Sequence, residues 1–286
     1  MNSVSVSVQM LLPPRLREKL DRLSPKEAAE TEEIRLRSGR PPSVVIGGRE
    51  KSLGGRAVEN ADLVYVLDRA SRSSLHSVRD ELRSGFVTAQ GGIRIGICGR
   101  VGGDTVREFS SLAIRLPHEK RGVGAEIIKK LAPFDKSVLV ISPPGGGKTT
   151  FLRELIRCAS ESGRRVSVCD ERCEIAALWN GQASFELGAM TDVMSGCSKA
   201  EGIVMLLRSM NPEIIAFDEI GADADFEAVE RAVCCGVNIF ATAHGATVED
   251  IRRRKIYRGA LAGGVFERAV VISGNGERKY ELVELC

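Results

Sequence analysis

Residues 138–150 read Val138-Leu139-Val140-Ile141-Ser142-Pro143-Pro144-Gly145-Gly146-Gly147-Lys148-Thr149-Thr150, and this stretch decides the fold. Four apolar residues predict a buried strand, and 149–160 read as a helix stopped by Gly163. Between them, three glycines supply backbone without side chains, so the chain can wrap an anion closely and aim N–H groups at it. Lys148 adds one ammonium that reaches β- and γ-phosphates. The Thr149 hydroxyl suits Mg²⁺, and the helix points its positive end at the same place. Pro143, Pro144 and Thr150 complete the loop. The pattern asks for glycine six residues before the lysine, where this chain has Ser142; serine tolerates most turn dihedrals, so affinity changes rather than the site being lost. Read this way the chain binds a nucleoside triphosphate, with ATP and Mg²⁺ as the expected cofactors.

Downstream, strand and helix patterns alternate. Strands are expected at 165–169, 214–217 and 237–242, and helices at 198–210 (with Ser198 as N-cap) and 225–235, closed by Gly236. This grammar predicts an α/β fold with a mostly parallel sheet covered by helices on both faces. Runs 268–272 and 278–285 flank Ser273-Gly274-Asn275-Gly276-Glu277, a hairpin signal. Ahead of the core, 14–30 read as helix interrupted at Ser24-Pro25, 33–37, 43–46 and 92–98 as short strands, and 60–71 as a helix. The alternation of Val4, Val6 and Val8 predicts another short strand. The expected organisation is therefore a smaller α+β domain over 1–120 and a P-loop core over 121–286 ending in a β-hairpin.

Three further strand ends carry polar groups. Ile214-Ile215-Ala216-Phe217 delivers Asp218-Glu219 to the carboxyl edge of the sheet, where ligands of such folds bind. Asp218 is expected to hold the Mg²⁺ shell through water, and Glu219 to orient and deprotonate the attacking water. Thr242-Ala243-His244-Gly245 ends the next strand; His244 suits a γ-phosphate sensor, although a lone histidine at a strand end also serves structure. Asp170-Glu171 closes the second core strand, where the pair holds a water or forms only a solvated strand end. No arginine near Lys148 in the core offers itself to the γ-phosphate.

Composition narrows the partners. With Lys+Arg 41 against Asp+Glu 38 the net charge is only +3, too thin to argue for nucleic acid or a membrane surface. No apolar run approaches the ~20 residues of a membrane span, and Met1–Pro14 lacks the basic start of a secretory signal. Cys286 has no lipidation frame. Eight cysteines (Cys98, Cys158, Cys169, Cys173, Cys197, Cys234, Cys235 and Cys286) form no C-x-x-C pair, which points to free thiols in a reducing compartment. Zinc at Cys169 and Cys173 lacks a second ligand pair.

Together, the loop 143–150, Val168-Cys169-Asp170-Glu171-Arg172, Phe217-Asp218-Glu219-Ile220-Gly221 and Ala241-Thr242-Ala243-His244-Gly245 resemble the secretion-type ATPases of type II and type IV systems. Within them the chain is similar to the stage III sporulation protein AA group, as are Glu33-Ile34-Arg35-Leu36-Arg37 with Arg40-Pro41, and Gly91-Gly92-Ile93-Arg94-Ile95-Gly96 with Gly99-Arg100. The resemblance implies a RecA-like core, a smaller N-terminal domain, and self-assembly into a hexameric ring. It also implies a cytoplasmic ATPase docked on an integral membrane protein of a sporulation channel, without inserting itself. Asp170-Glu171 would be the acidic box of such proteins and His244 their histidine box. Arg94 and Arg100, with Arg35 and Arg37 behind them, would reach the γ-phosphate. A competing reading is an ATPase that binds single-stranded nucleic acid. Against it, aromatic residues make up only 5% of the chain, Trp179 is the one tryptophan, and Gly96-Ile97-Cys98-Gly99 has no basic residue between its glycines. A third reading, a nucleotide-gated platform that hardly hydrolyses ATP, uses the same loop.

Overall fold

A computed structural model describes residues 6–71, 83, 85–103, 105–117, 121–178, 181–274 and 278–285. Val4, Trp179 and the hairpin residues Asn275, Gly276 and Glu277 lie outside them. The chain divides into two compact units, Met1–His118 and Glu119–Cys286.

The N-terminal unit is an antiparallel sheet of six strands, β1 (Thr31–Arg37), β2 (Ser43–Ile46), β3 (Arg49–Ser52), β4 (Phe86–Ala89), β5 (Ile93–Gly102) and β6 (Thr105–Arg115), in the order β3-β2-β1-β6-β5-β4. Alternation sets its two faces: Ile93, Ile95 and Ile97 of β5 are buried with Ile34 and Leu36 of β1, Leu112 and Ile114 of β6, and Leu63, Val66 and Leu67 of the helix Asn60–Ala70. Each such side chain contributes about 1.5–3 kcal/mol when fully buried. The GXXG spacing at Gly96–Gly99 falls inside β5. There a Cβ on Gly99 would collide with the Glu108 carbonyl of β6, so this glycine serves a close approach of strands at a bulge.

One expected element is corrected. Val6–Leu11 is helical, not a strand. Val8 and Leu11 are both buried, a three-residue spacing that a helix and not a strand brings onto one face; packing outweighs the β preference of the valines. The helix Pro25–Glu30 starts as expected at Ser24, whose hydroxyl and Glu27 close a capping box.

The second unit is a seven-stranded sheet: β7 (Val138–Ser142), β8 (Val166–Asp170), β9 (Thr191–Ser195), β10 (Ile214–Phe217), β11 (Asn238–His244), β12 (Arg268–Ser273) and β13 (Lys279–Glu284). Their order is β13-β12-β7-β11-β10-β8-β9, parallel throughout except for the antiparallel pair β12–β13. The strands are apolar on both sides, so alternate residues feed two cores. Leu139, Ile141, Ile215 and Phe217 pack with the helices Lys199–Ser209, Asp223–Cys234, Val248–Arg252 and Lys255–Ala262. Val138, Val140, Ile214 and Ala216 pack with Ala125–Leu131 and Lys148–Glu161, the latter contributing Phe151, Leu152, Leu155, Ile156 and Ala159. Ser198 caps the first helix with Glu201. Thr191–Ser195 escaped the sequence reading because a short edge strand with an aspartate and a serine has no clear alternation.

Candidate active site

Parallel register brings the carboxyl ends of four strands to the same edge of the sheet. Ser142 of β7 pairs with His244 of β11, and Phe217 of β10 pairs with Cys169 of β8, which sets Asp218 opposite Asp170. Strand β11 lies between the strand of the phosphate loop and the strand of the acidic pair, so His244 stands between Lys148 and Glu219. Its imidazole is 3.0 Å (Nδ1) and 3.4 Å (Nε2) from Lys148 Nζ, and Nε2 is 3.7 Å from the Glu219 carboxylate.

The loop is built as glycine permits. Gly145 (φ +74) and Gly147 (φ +96) occupy left-handed backbone, and Gly147 is the N-cap of Lys148–Glu161. Ser142, the departure from pattern, is fully buried, and a Cβ on Gly146 would strike its hydroxyl. The missing side chain at 146 therefore makes room for the extra one at 142. That hydroxyl donates to the Pro143 carbonyl at 3.0 Å.

Lys148 is 9% exposed. Burial pushes its pKa down, while Glu219, Asp218 and Glu174 pull it back up. Asp218 is shifted the other way: burial raises its pKa, the negative Glu174 and Asp170 raise it further, and Lys199 opposes them. Its carboxylate accepts from Thr242 Oγ1 at 3.4 Å. Carboxylates crowded beside two buried ammoniums, Lys148 and Lys199, leave negative charge for a divalent cation to offset. Among the described residues no three His, Cys, Asp or Glu side chains form a metal cage. That donor set fits Mg²⁺, which takes one or two protein oxygens and fills its octahedron with phosphate and water. Asp218 brings its carboxylate to this edge, and Thr149 follows Lys148 in the first turn of the loop helix.

Asp170 does something other than expected. It is 2% exposed, and its carboxylate accepts four backbone N–H bonds, from Glu174, Ile175, Ala176 and Ala177, at 2.8–3.0 Å. Four acceptor sites with four donors leave it holding its own loop, with no lone pair over for a nucleotide or its water. Glu171 remains outward and pairs with Lys199 Nζ at 3.3 Å.

Four residues of the site went unread in the sequence. Lys199, 5% exposed, donates to the Glu219 carbonyl at 2.7 Å and so ties the acidic strand end to Glu171. The Tyr257 hydroxyl accepts from Ile220 N–H at 3.1 Å and donates to the Thr242 carbonyl at 3.3 Å, clamping β10 to β11. Glu174 acts electrostatically on both Lys148 and Asp218. Arg278, just before β13, brings its guanidinium against Gly147, so the core does carry an arginine in cis beside its loop.

The candidate arginines of the N-terminal unit have local partners. Arg94 lies 4.0 Å over the Phe86 ring, and Arg100 pairs with Glu108 at 3.6 Å. Arg35 pairs with Glu33, and Arg37 with Glu50.

A central strand separating the loop strand from the acidic strand, with a histidine at its tip, defines a P-loop core of the RecA-like α/β class. The chain belongs to the family described as "Sporulation stage III, protein AA", whose family model matches residues 4–281. It is 33% identical over 275 residues to the stage III sporulation protein AA of Bacillus subtilis (strain 168), covering 92% of this chain and 89% of that protein. Among solved structures, the ADP-bound pilus retraction motor PilT superposes with a TM-score of 0.66 at 18% identity, over 94% of this chain and 82% of that one. The Legionella pneumophila ATPase DotB superposes with a TM-score of 0.63 at 18% identity, over 96% and 82%. At that identity the two structures establish the fold: a RecA-like core preceded by an N-terminal domain. Among the described residues no helix is long and apolar enough to cross a membrane.

Proposed function

We propose that this chain hydrolyses ATP and works as the motor of a secretion-like channel in sporulation, assembled as a ring and docked on an integral membrane protein. One observation carries the chemistry: His244 at the tip of β11 meets both Lys148 at the start of the loop helix and Glu219 just past β10, with Asp218 next to Glu219. Backbone N–H groups of 145–148 and the Lys148 ammonium hold the β- and γ-phosphates. Mg²⁺, held by Thr149 and Asp218, would neutralise charge on those phosphates. Glu219 orients a water toward the γ-phosphorus and takes its proton as the new P–O bond forms and the bridging bond to the β-phosphate breaks. His244 reads the γ-phosphate from β11, so its loss reports hydrolysis to the strands beside it. Phosphoryl transfer is largely positioning and charge neutralisation, which these groups supply.

Membership of the sporulation family and likeness to the pilus retraction motor PilT and the ATPase DotB support the motor reading, from which the ring and the membrane partner are inferred. The decisive experiment measures phosphate release by the purified protein with Mg²⁺–ATP, in parallel with Glu219→Gln. Turnover in the parent that is lost in the variant bears the reading out; equal release in both sinks it. An increase on adding single-stranded nucleic acid would favour the competing reading.

A further inference from the structure

The loop is only one wall of a larger cavity. Pro143–Gly146 of the loop, Val123, and Ile272, Arg278 and Tyr280 of the terminal strand pair enclose about 690 Å³, within the range of pockets that bury a small molecule. A triphosphate seated on Lys148 has its remaining half to place, and this cavity opens from the same loop. We propose that it takes the nucleobase and ribose of the bound nucleoside triphosphate, with the Tyr280 ring as stacking platform and Arg278 as a cation supplied in cis to the phosphates. The proposal rests on the phosphate-loop reading above and adds to it the site that recognises the rest of the nucleotide.

The platform is rigid for reasons visible in the packing. Tyr280 stacks on Phe151, with ring centroids 5.5 Å apart and planes 27° from parallel. Phe151 is fully buried in the first turn of the loop helix, three residues after Lys148. Phosphate cradle and ring platform therefore hang on one helical turn, which fixes their separation. Gly124 (φ +66) closes the arrangement: a Cβ there would collide with Phe151 and press on Tyr280 at 3.3 Å. Tyr280 is also the register partner of Ile272, so the antiparallel pair β12–β13 presents an apolar wall. A ring held this way loses little freedom when a base lands on it. Arg278 crosses Gly147, where its guanidinium faces the loop that binds phosphate.

Calorimetric titration of the protein with Mg²⁺–ATP and with Mg²⁺–tripolyphosphate separates the two halves. One stacked base is worth about 10- to 100-fold in affinity. Tyr280→Leu and Val123→Trp, which puts bulk into the cavity from another lining residue, should each weaken ATP by about that factor while tripolyphosphate binds as before. Tyr280→Phe should restore ATP, and Arg278→Gln should weaken both ligands. Retained tripolyphosphate affinity shows that Tyr280→Leu and Val123→Trp are folded. The base-pocket proposal is overturned if ATP binds the parent no tighter than tripolyphosphate, or if Tyr280→Leu and Val123→Trp leave ATP affinity unchanged. If neither ligand binds the parent, the phosphate-loop reading itself fails and takes this proposal with it.

Discussion

The Lys148 ammonium lies 3.0 Å from Nδ1 of His244, ninety-six residues away in sequence, so the loop and the strand tip that would sense its phosphate already share a contact. A phosphate in the loop competes with the imidazole for that ammonium. Lys148→Ala should therefore weaken ATP binding by at least about tenfold, since a hydrogen bond to a charged group contributes roughly 1.5–3 kcal/mol. Thermal stability should not fall, because a cation whose charged form is disfavoured by burial is removed. ATP affinity unchanged in a folded Lys148→Ala protein would place the phosphate site elsewhere.

Glu219→Gln keeps the side chain's shape and removes its basicity. It should leave ATP affinity within about twofold and cut turnover by roughly 10²–10⁴, the usual contribution of an aligned general base. Normal turnover would move the base to another carboxylate; Glu171, already outward beside Lys199, is the next candidate.

Much of this site was legible because its chemistry sits in runs. Glycines next to Lys148-Thr149, and apolar strands ending in Asp218-Glu219 or His244, carry their meaning in adjacent letters. Lys199, Tyr257 and Arg278 do not. Each is a single residue whose role comes from register and helix packing, and one lysine at a helix start looks like any other. Asp170 misled for the same reason: the N–H groups that engage it belong to residues 174–177, and no spacing shows that this loop folds back. Among the elements, the buried parallel strands were readable as apolar runs. Val6–Leu11 was not, because the packing of Val8 and Leu11 set its conformation against local preference.

Lys199 should act on hydrolysis through Glu219 rather than on nucleotide binding. Its Nζ holds the backbone carbonyl of Glu219 at 2.7 Å and so anchors the main chain that carries that carboxylate. Lys199→Met keeps the buried stem and removes the donor; turnover should fall about tenfold or more with KM for ATP little changed, since charge-assisted hydrogen bonds are worth roughly 1.5–3 kcal/mol. Lys199→Arg should recover part of the loss. A variant that loses stability but keeps full kcat would assign the lysine to folding alone.

Stability should respond to acid through Glu154. The Arg157 guanidinium, bonded to it at 2.7 Å and 2.9 Å, and the Gly122 N–H at 3.0 Å hold its pKa below the ordinary carboxylate value against the opposing effect of burial. A depressed pKa stabilises the fold above the unfolded-state value and loses that contribution as pH falls through the folded one. Glu154→Gln should thus lower stability by about 1–2 kcal/mol at pH 7, less than a fully buried charged pair because Arg157 also bonds the exposed Glu161. Denaturant melts at pH 7 and pH 3 check this: the gap between parent and variant should narrow at the lower pH. A gap that stays constant would show that packing, not charge, is what the substitution removes.

The remaining question is which arginine meets the charge that develops on the γ-phosphate, an interaction worth ~10³–10⁵ in rate when supplied by a neighbour. Of the N-terminal candidates, Arg94 is already engaged by the Phe86 ring at 4.0 Å. Arg100 is held more loosely: its side chain is 79% exposed and its pair with the equally open Glu108 spans 3.6 Å. Such a surface pair contributes between nothing and about 1 kcal/mol, so little opposes its transfer to a phosphate. If the chain works as a ring, Arg100→Ala should lower turnover at least about tenfold, a small part of the effect known for such arginines, while sparing ATP affinity. Turnover should also rise more steeply than linearly with protein concentration. Complementation decides between neighbours and self. Lys148→Ala subunits have a dead loop and an intact Arg100; Arg100→Ala subunits have an intact loop and no arginine. Mixed together, the two impaired preparations should show more activity than the sum of their parts if the arginine is delivered across a subunit boundary. A mixture no more active than that sum would leave Arg278, beside Gly147 in the same chain, as the arginine that serves the reaction.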